Sequence, residues 1–135
     1  MEVTRFFISI TSEQPEALTE WYRDTLELPV NEEMGGGAFN VGGAQLVIDG
    51  HSETTGPTKE PQRVLINMLV DDLGAEHQRL LAKGVTFIRD PERDLHGLFA
   101  TFLDPDGNYL QLVEFTPGAY APGDGAAAAA PSGDA

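Results

Sequence analysis

Residues 102–115 read FLDPDGNYLQLVEF, and the interpretation of the whole chain depends on this stretch. Pro105 presets one turn position and Gly107 accepts a positive φ, so the DPDG segment predicts a tight reversal of the chain. The residues that follow alternate as expected for a β-strand with one buried face. Gln111 interrupts the pattern, because it places an amide in the middle of the strand. The function of the protein depends on where that amide points.

The composition restricts the functional classes before any motif is considered. The chain has 135 residues, enough for one domain with a single core. Its formal net charge of −14 repels phosphates, so we expect neither nucleic acid nor an anionic membrane as a partner. The lack of cysteine excludes disulfides, thiolate metal sites and cysteine nucleophiles. The N-terminal apolar run is too short for a signal peptide or a membrane span, which predicts a cytoplasmic protein.

The first half of the chain predicts a strand, a helix and three further strands. The elements are predicted in residues 3–10 (strand), 13–28 (helix), 28–33 (short strand) and 38–49 (two strands meeting at Gly42 and Gly43). Pro15 suits the first turn of the helix. The glycines at 35–37 precede a strand rather than a helix, which disfavours a phosphate-binding loop and favours a flap over a ligand.

The second half predicts the same order again. The elements are predicted in residues 63–70 (strand), 71–84 (helix), 85–90 (strand) and 98–115 (a hairpin of two strands). Asp71 or Asp72 opens the second helix and Gly84 ends it. Two βαβββ units result, unit 1 over about 3–50 and unit 2 over about 63–115.

The fold class that follows is α+β, with two cupped mixed sheets and helices on their outer face. We expect a single domain over residues 1–116, because neither unit can bury its sheet alone. Each concave sheet face needs a cover, either from the other unit or from a second chain. Residues 117–135 are nearly all Ala, Gly, Pro, Ser and Asp, so we predict a disordered tail there.

Three segments in this repeated order resemble the vicinal oxygen chelate superfamily. They are WYRDTLEL at 21–28, LVDDLGAEHQRLLAKGV at 69–85 and DPDGNYLQLVEF at 104–115. This superfamily includes glyoxalase I, extradiol dioxygenases, fosfomycin-resistance enzymes and bleomycin-resistance proteins. The resemblance covers about residues 3–115, and its most specific part is the DPDGN turn with the strand after it.

The resemblance also implies where a metal would be held. Enzymes of the superfamily bind a divalent ion inside the cupped sheet through His, Glu or Gln side chains. The four ligand positions fall on Phe7, Val47, Leu65 and Gln111 of this chain. Phenylalanine, valine and leucine have no donor atom, and one neutral amide oxygen cannot hold a hard cation. We therefore expect no metal and no other cofactor, with Gln111 as an inward polar residue at an old ligand position.

Strand alternation assigns the other side chains to the two faces of the sheets. The concave face is predicted to be lined by Arg5, Phe7, Ser9, Gln45, Val47, Asp49, Arg63, Leu65, Asn67, Leu69, Phe99, Thr101, Gln111, Val113 and Phe115. The residues expected under the helices are Ile8, Ile10, Leu46, Ile48, Val64, Ile66, Met68, Leu110 and Leu112. Glu114 is expected to lie away from the helices. Trp21 and Tyr22 are interpreted as helix-to-sheet packing.

The three histidines receive different interpretations. His77 lies in the second helix beside Glu76 and Gln78 and is predicted to face solvent. His51 lies in a polar loop and receives no role. His96 precedes a strand that borders the concave face and is predicted to contact a ligand, but no partner carboxylate makes it an acid or a base.

These observations predict a metal-independent binding protein of the bleomycin-resistance type. It would sequester a drug-like or secondary-metabolite ligand at the interface of a homodimer. The predicted ligand-binding residues are Phe7, Ser9, Gln45, Val47, Asp49, Leu65, Asn67, His96, Thr101, Gln111 and Val113. No catalytic residue is assigned, because no paired acid and base is found.

Two alternatives stay open at this point. In the first, the chain is a lyase, isomerase or dioxygenase-like enzyme of the same superfamily. The side chains that would orient its substrate are Ser9, Asn67, Gln111 and His96. In the second, a metal is held by unexpected ligands such as Asp49, His51 or His96. The sequence decides neither the identity of the ligand nor whether the cavities form within one chain or across a dimer.

Overall fold

The computed structural model describes residues 1–117, so the predicted tail beyond Pro117 lies outside the described residues. The strands and helices are β1 Phe7–Thr11, α1 Pro15–Asp24, β2 Ala38–Val41, β3 Ala44–Asp49, β4 Ile66–Leu69, α2 Leu73–Ala82, β5 Phe87–Arg93, β6 Gly97–Leu103 and β7 Tyr109–Phe115. Short 3₁₀ turns cover Glu32–Met34 and Pro61–Arg63. Among residues 1–117, neither helix is long and apolar enough to span a bilayer.

The two units have the same strand connectivity. Unit 1 forms a sheet in the order β1-β3-β2, and unit 2 forms a sheet in the order β4-β7-β6-β5. In each sheet the first strand pairs in parallel with the last one, and the last one continues into antiparallel neighbours. The predicted α+β class with two mixed sheets is confirmed. In both sheets the first strand of the unit, β1 or β4, is an edge strand.

Unit 1 has a turn where a fourth strand was predicted. In residues 28–33 only Val30 pairs with β2, as an isolated bridge. The reason is local, because the side chain of Asn31 accepts hydrogen bonds from the N–H groups of Glu33 and Met34 at 3.1 and 3.2 Å. These bonds turn the chain into a 3₁₀ helix rather than extending it. The predicted strand is therefore reduced to one bridge.

The second helix begins where its N-cap side chain satisfies a free N–H group. The Asp72 carboxylate accepts a hydrogen bond from the N–H of Ala75 at 3.0 Å, so Asp72 rather than Asp71 is the cap. After the helix, Gly84 has φ of 83°, a conformation that glycine adopts without strain. Both ends of the predicted helix are thus confirmed to within about two residues.

Glu114 corrects one expectation about the faces of β7. Strand alternation puts Glu114 on the same side as Leu110 and Leu112, under the helices, and the expectation that it lies away from them is wrong. Its carboxylate accepts a hydrogen bond from the N–H of Leu73 at 2.8 Å. A carboxylate is favourable there, because the first N–H groups of a helix have no partner within the helix.

The core lies between the helices and the sheets and joins both units. Its buried members are Leu18, Tyr22, Leu26, Phe39, Leu46, Ile48, Leu73, Leu80, Val85, Ala100, Phe102, Leu110 and Leu112. Ile10, Ile66 and Met68 pack against it in part, as predicted. Ile8 and Val64 do not, since they are 38% and 62% exposed. They lie in or just before the edge strands β1 and β4, where no neighbouring strand covers them.

The two units contact each other on the helix side of the sheets. The hydroxyl of Tyr22 on α1 donates a hydrogen bond to Asp104 of unit 2 at 2.6 Å. Asp104 also accepts from the N–H groups of Asp106 and Asn108, so one buried carboxylate both shapes the DPDGN turn and binds the opposite helix. Trp21 packs near Phe102 and Tyr22 is buried, which confirms their interpretation as packing residues.

Candidate functional site

The sheet face of unit 1 that was predicted to be concave is the one opposite the core, and it consists of alternate residues of β1 and β3. Phe7 pairs with Gln45 and Ser9 pairs with Val47, while the intervening β3 residues enter the core. The predicted side chains of unit 1 therefore share one face. Asp49 ends β3, and its carboxylate accepts a hydrogen bond from the next N–H group at 2.8 Å.

A polar row crosses unit 1 beside these residues. Arg5 donates from Nε to Oε1 of Gln45 at 3.3 Å, and its Nη2 lies 3.1 Å from the sulfur of Met34. On the neighbouring strand β2, Oδ1 of Asn40 accepts from Nδ2 of Asn31 at 3.0 Å. Asn40 was not among the predicted site residues, although its alternation with the buried neighbour in β2 places it on this face.

The loop at 35–37 is attached to β3 rather than free at both ends. The carbonyl of Gly37 accepts from the N–H of Ile48 at 2.7 Å. A Cβ atom at Gly37 would lie 2.4 Å from the oxygen of Ile48, so only glycine allows this close approach. The segment predicted as a flap is thus held at its C-terminal end.

The concave face of unit 2 also consists of alternate strand residues, and its centre is more polar than that of unit 1. Asn67, Gln111 and Thr101 are cross-strand neighbours on β4, β7 and β6. One step further along the strands, Leu69, Val113 and Phe99 form an apolar row. Thr101 and Val113 are each 4% exposed, whereas Asn67 is exposed. The pairing of β5 with β6 contains register shifts, and such bulges increase the twist of a strand.

The structure gives Gln111 a specific partner. Its Nε2 donates a hydrogen bond to Oγ1 of Thr101 at 3.2 Å, between adjacent antiparallel strands. The amide therefore lies on the concave face, opposite to the core residues Leu110 and Leu112. A glutamine interrupts the strand pattern because that face of β7 is not the one that packs under the helices.

Leu65 and Arg63 lie before β4 rather than in it. Leu65 is half-buried. Arg63 belongs to the 3₁₀ turn Pro61–Arg63 and forms an exposed ion pair with Glu60 at 2.9 Å. The prediction that Arg63 belongs to the strand lining the concave face is wrong, because proline at the start of this segment favours a turn.

His96 lies at the rim of the unit 2 face, in the turn between β5 and β6. Its N–H donates to the Asp94 carboxylate at 2.7 Å, and its carbonyl accepts from the N–H of Thr116 at 2.7 Å. The next residue, Gly97, pairs with Phe115 at the end of β7. The backbone around His96 is therefore fixed between Asp94 and the end of β7, and its contact with a ligand stays a prediction.

The other two histidines have local roles. His51 accepts a hydrogen bond at Nδ1 from the N–H of Glu53 at 3.0 Å, within its own loop. His77 does not face solvent as predicted, since its side chain is 12% exposed and its ring lies 4.6 Å from that of Phe87. Its Nε2 is buried without a hydrogen-bond partner in the described part of the chain, 3.8 Å from Asp90.

The residues on these faces do not fit a divalent metal ion. Three of the four positions implied by the resemblance, Phe7, Val47 and Leu65, carry hydrocarbon side chains. Gln111 supplies one neutral amide, which is too few donors for a hard cation. Within residues 1–117, no three His, Asp or Glu side chains group together as possible ligands.

The two concave faces lie on separate sheets. Among the described residues, no hydrogen bond joins a side chain on one face to a side chain on the other. Phe7 of unit 1 and Leu69 of unit 2 are 50% and 56% exposed. Each set of predicted ligand-binding residues is thus assembled within its own unit, with some members exposed and others, such as Thr101 and Val113, almost completely buried.

The sequence and the fold were compared with known proteins. The sequence profile of the Glyoxalase/Bleomycin resistance protein/Dioxygenase superfamily matches residues 6–112. No curated protein sequence matches the chain. A superfamily member from Sphaerobacter thermophilus is similar in structure, with a TM-score of 0.65 and 21% identity, over 84% of this chain and 98% of that one. A putative glyoxalase family protein from Bacillus anthracis has a TM-score of 0.64 and 16% identity, over 86% and 98% of the two chains.

Another similar structure belongs to a protein described by what it binds. TnmS3, an antibiotic binding protein from a Streptomyces species, is 25% identical to this chain with a TM-score of 0.62. The match covers 86% of this chain and 97% of TnmS3. Nearly the whole of each of these solved chains is matched, so the similarity extends over both units.

Proposed function

Because the chain belongs to the glyoxalase/bleomycin resistance protein/dioxygenase superfamily, we propose that it is a metal-independent binding protein. It holds a drug-like or secondary-metabolite ligand in a cavity formed where two copies of the chain meet. The proposal includes a single domain over residues 1–116, a cytoplasmic location and no nucleic-acid partner, as expected from the net charge of −14.

The observation on which the proposal rests is the chemistry of the concave faces. Apolar walls with a few amide and hydroxyl groups are typical of small-molecule sites. Gln45, Thr101 and Gln111 supply the polar groups, beside hydrocarbon side chains such as Val47 and Val113. A protein that lacks metal ligands at the positions its relatives use can still bind an organic molecule there.

The similarity to TnmS3 supports binding over catalysis. TnmS3 is described as an antibiotic binding protein, and the match covers 97% of its chain. Within residues 1–117, no pair of an acid and a base was assigned on these faces, whereas acid–base catalysis needs a group placed to transfer the proton. The lyase, isomerase or dioxygenase-like alternative therefore has no assigned acid–base pair.

Two edge strands support the homodimer. β1 and β4 end their sheets, and both expose apolar side chains. Phe7 and Ile8 are 50% and 38% exposed on β1, and Leu69 is 56% exposed on β4. Apolar edge strands are usually covered, because they otherwise pair with other chains. A second copy related by a two-fold axis covers both edges and encloses the concave faces.

The test of binding is native mass spectrometry of the full chain purified from its own host. We expect a retained organic molecule and well below one metal ion per chain after incubation with zinc, nickel, iron and manganese and desalting. One tightly held ion per chain contradicts metal independence. If the retained molecule is converted to a product on incubation with the purified protein, the enzymatic alternative replaces the proposal.

Sedimentation tests the dimer with a matched pair of variants. Leu69→Glu introduces a charge on the β4 edge and should give a monomer at micromolar concentration. Leu81→Glu is the control, because Leu81 is 43% exposed on α2, away from both edges. A wild-type monomer, or equal dissociation of both variants, contradicts the edge-strand interface.

A further inference from the structure

In the Gln111 side chain, the amide nitrogen and the amide oxygen differ in their hydrogen bonding. Its Nε2 donates to Oγ1 of Thr101 at 3.2 Å. Among the described residues no hydrogen bond reaches its Oε1 atom. The carbonyl oxygen is thus left to accept a hydrogen bond from whatever occupies the concave face of unit 2.

Thr101 is suited to hold the amide in this orientation. It is 4% exposed and lies directly across from Gln111 on the neighbouring strand. Cross-strand partners have neighbouring side chains on the same sheet face, and a β-branched side chain has few rotamers. A hydroxyl can accept from the amide N–H or donate to the amide carbonyl, and in this structure the Thr101 hydroxyl accepts, which turns the Gln111 carbonyl away from Thr101.

In unit 1 the hydrogen bonds of the Gln45 and Asn40 side chains are formed by their amide oxygens. Oε1 of Gln45 accepts from Nε of Arg5 at 3.3 Å, and Oδ1 of Asn40 accepts from Nδ2 of Asn31 at 3.0 Å. In that unit the side-chain carbonyl oxygens of Gln45 and Asn40 accept hydrogen bonds, and within residues 1–117 no hydrogen bond involves their side-chain N–H groups. Unit 1 therefore offers hydrogen-bond donors, whereas Gln111 in unit 2 offers an acceptor.

We propose that Thr101 is a positioning residue that presents the Gln111 carbonyl to the ligand, so that unit 2 selects ligands with a hydroxyl or N–H donor. This inference rests on the proposed binding function and specifies its ligand class. The neighbouring row of Leu69, Val113 and Phe99 favours a largely apolar skeleton beside that donor. An acceptor group elsewhere on the same molecule suits the donors of unit 1.

The first experiment detects the hydrogen bond without any ligand. In NMR spectra of protein labelled with ¹⁵N-glutamine, the Gln111 side-chain resonances are assigned as those missing in Gln111→Met. We expect one Nε2 proton of Gln111 to resonate downfield in the wild type and to lose that shift in Thr101→Val. Thr101→Ser keeps the hydroxyl and should keep the shift. Unchanged Gln111 resonances in folded Thr101→Val overturn the inference.

The second experiment compares probes that differ by one donor. Naphthol carries a hydroxyl on an apolar aromatic skeleton, and methoxynaphthalene has the same skeleton with the donor blocked. The wild type should bind naphthol about fivefold more tightly than methoxynaphthalene, as expected for one net hydrogen bond. Gln111→Met and Thr101→Val should bind the two probes equally, and Thr101→Ser should keep the preference.

The outcomes separate this inference from the proposed function. If both probes perturb concave-face resonances with equal affinity in the wild type, the cavity binds apolar molecules and the donor selection is wrong. If the preference survives in Gln111→Met, another residue is responsible and the inference is also wrong. If neither probe perturbs any concave-face residue, the binding function is contradicted for this ligand class and the inference is overturned with it.

Discussion

The two units of this chain share a topology but differ at corresponding places. In each, the first strand pairs in parallel with the last, and a helix covers the opposite face. At the centre of the concave face, unit 1 has Ser9 and Val47 where unit 2 has Asn67 and Gln111. The fold is therefore repeated while the surface chemistry is not.

The helices differ in a similar way. Each carries one buried polar group on its packed side. The Tyr22 hydroxyl of α1 has a carboxylate partner, Asp104, at 2.6 Å. Nε2 of His77 in α2 has no hydrogen-bond partner within residues 1–117. With the same architecture, α1 therefore forms a hydrogen bond to the other unit, whereas α2 buries a nitrogen atom that has no hydrogen bond in the described part of the chain.

The largest expected effect concerns a glycine in each unit where two backbones meet. A Cβ atom at Gly97 would lie 2.1 Å from the oxygen of Glu114, and one at Gly37 would lie 2.4 Å from that of Ile48. Gly97→Ala should lower the free energy of unfolding by about 3 kcal/mol, and Gly37→Ala by somewhat less, because backbone must move in both cases. Chemical denaturation measures the change.

Gly43→Ala is the control for both glycines. A Cβ atom at Gly43 has no atom within 4 Å and its backbone is not left-handed. Its stability should be close to that of the wild type. Equal stability of Gly97→Ala and Gly43→Ala would mean that the β6 and β7 backbones can separate without loss, and the two sheets would then differ in rigidity.

The next effect tests the link from unit 1 to unit 2. Tyr22→Phe removes one hydrogen bond from a carboxylate that is 4% exposed, at a loss of about 1 to 2 kcal/mol in the free energy of unfolding. Asp104 keeps its bonds to the N–H groups of the DPDGN turn, so the variant should still fold. Thermal and chemical denaturation at neutral pH provide the measurement.

The same tyrosine predicts a dependence on alkaline pH. Burial, followed by the negative charge of Asp104, raises the pKa of Tyr22 above its ordinary value of 10.0. The folded state then keeps the proton while the unfolded state loses it, so this stability is complete below pH 10 and declines as the pH rises further. Tyr22→Phe should lack that decline. Parallel stability curves for both proteins above pH 10 would contradict the buried, protonated hydroxyl.

Much of this architecture was predictable from local patterns, because both helices and the DPDG hairpin have their own start and stop signals. The turn in residues 28–33 was missed because one side chain, Asn31, diverts the backbone into a 3₁₀ helix. A strand pattern does not record such a side-chain bond. Glu114 was misplaced although alternation alone gives its face. Its carboxylate under the helices is explained only by the helix N-terminus that it caps.

The sequence predicted most of the residues that lie on the faces of the candidate site, but it did not predict the contacts between them. Alternation places Phe7, Ser9 and Val47 on one face because a strand has a period of two. The bond between Gln111 and Thr101 depends on the register between β6 and β7, which the hairpin turn sets but the sequence does not display. Burial of His77 depends on how α2 packs over β5, a tertiary contact with no local signal.

A smaller effect is expected where a side chain of α2 donates hydrogen bonds to the carbonyl groups that follow α1. Nη1 and Nη2 of Arg79 donate to the carbonyls of Thr25 and Leu26 at 2.9 and 3.3 Å. Arg79→Met keeps the aliphatic stem but removes these bonds, together with two ion pairs to partly exposed carboxylates that contribute little, so the free energy of unfolding should fall by about 1 kcal/mol. Arg23→Met is the control, because the partner of Arg23 in the described part of the chain is its exposed neighbour Asp24. Equal losses in both variants would show that the carbonyl contacts contribute nothing.

The smallest expected effect concerns His77, the counterpart of Tyr22 in the comparison of the helices. His77→Leu removes a buried nitrogen that has no hydrogen bond in the described part of the chain and keeps an apolar contact with Phe87. Leaving a polar atom unsatisfied is unfavourable, so its replacement by a hydrocarbon should change the free energy of unfolding by less than about 0.5 kcal/mol or increase it. Nε2 of His77 lies 3.8 Å from a carboxylate oxygen of Asp90, which is 84% exposed, and ion pairs at such exposed positions contribute little. Chemical denaturation of His77→Leu beside Tyr22→Phe measures the contrast directly. A loss for His77→Leu as large as that for Tyr22→Phe would mean that His77 has a stabilising partner, and the two helices would then not differ in this respect.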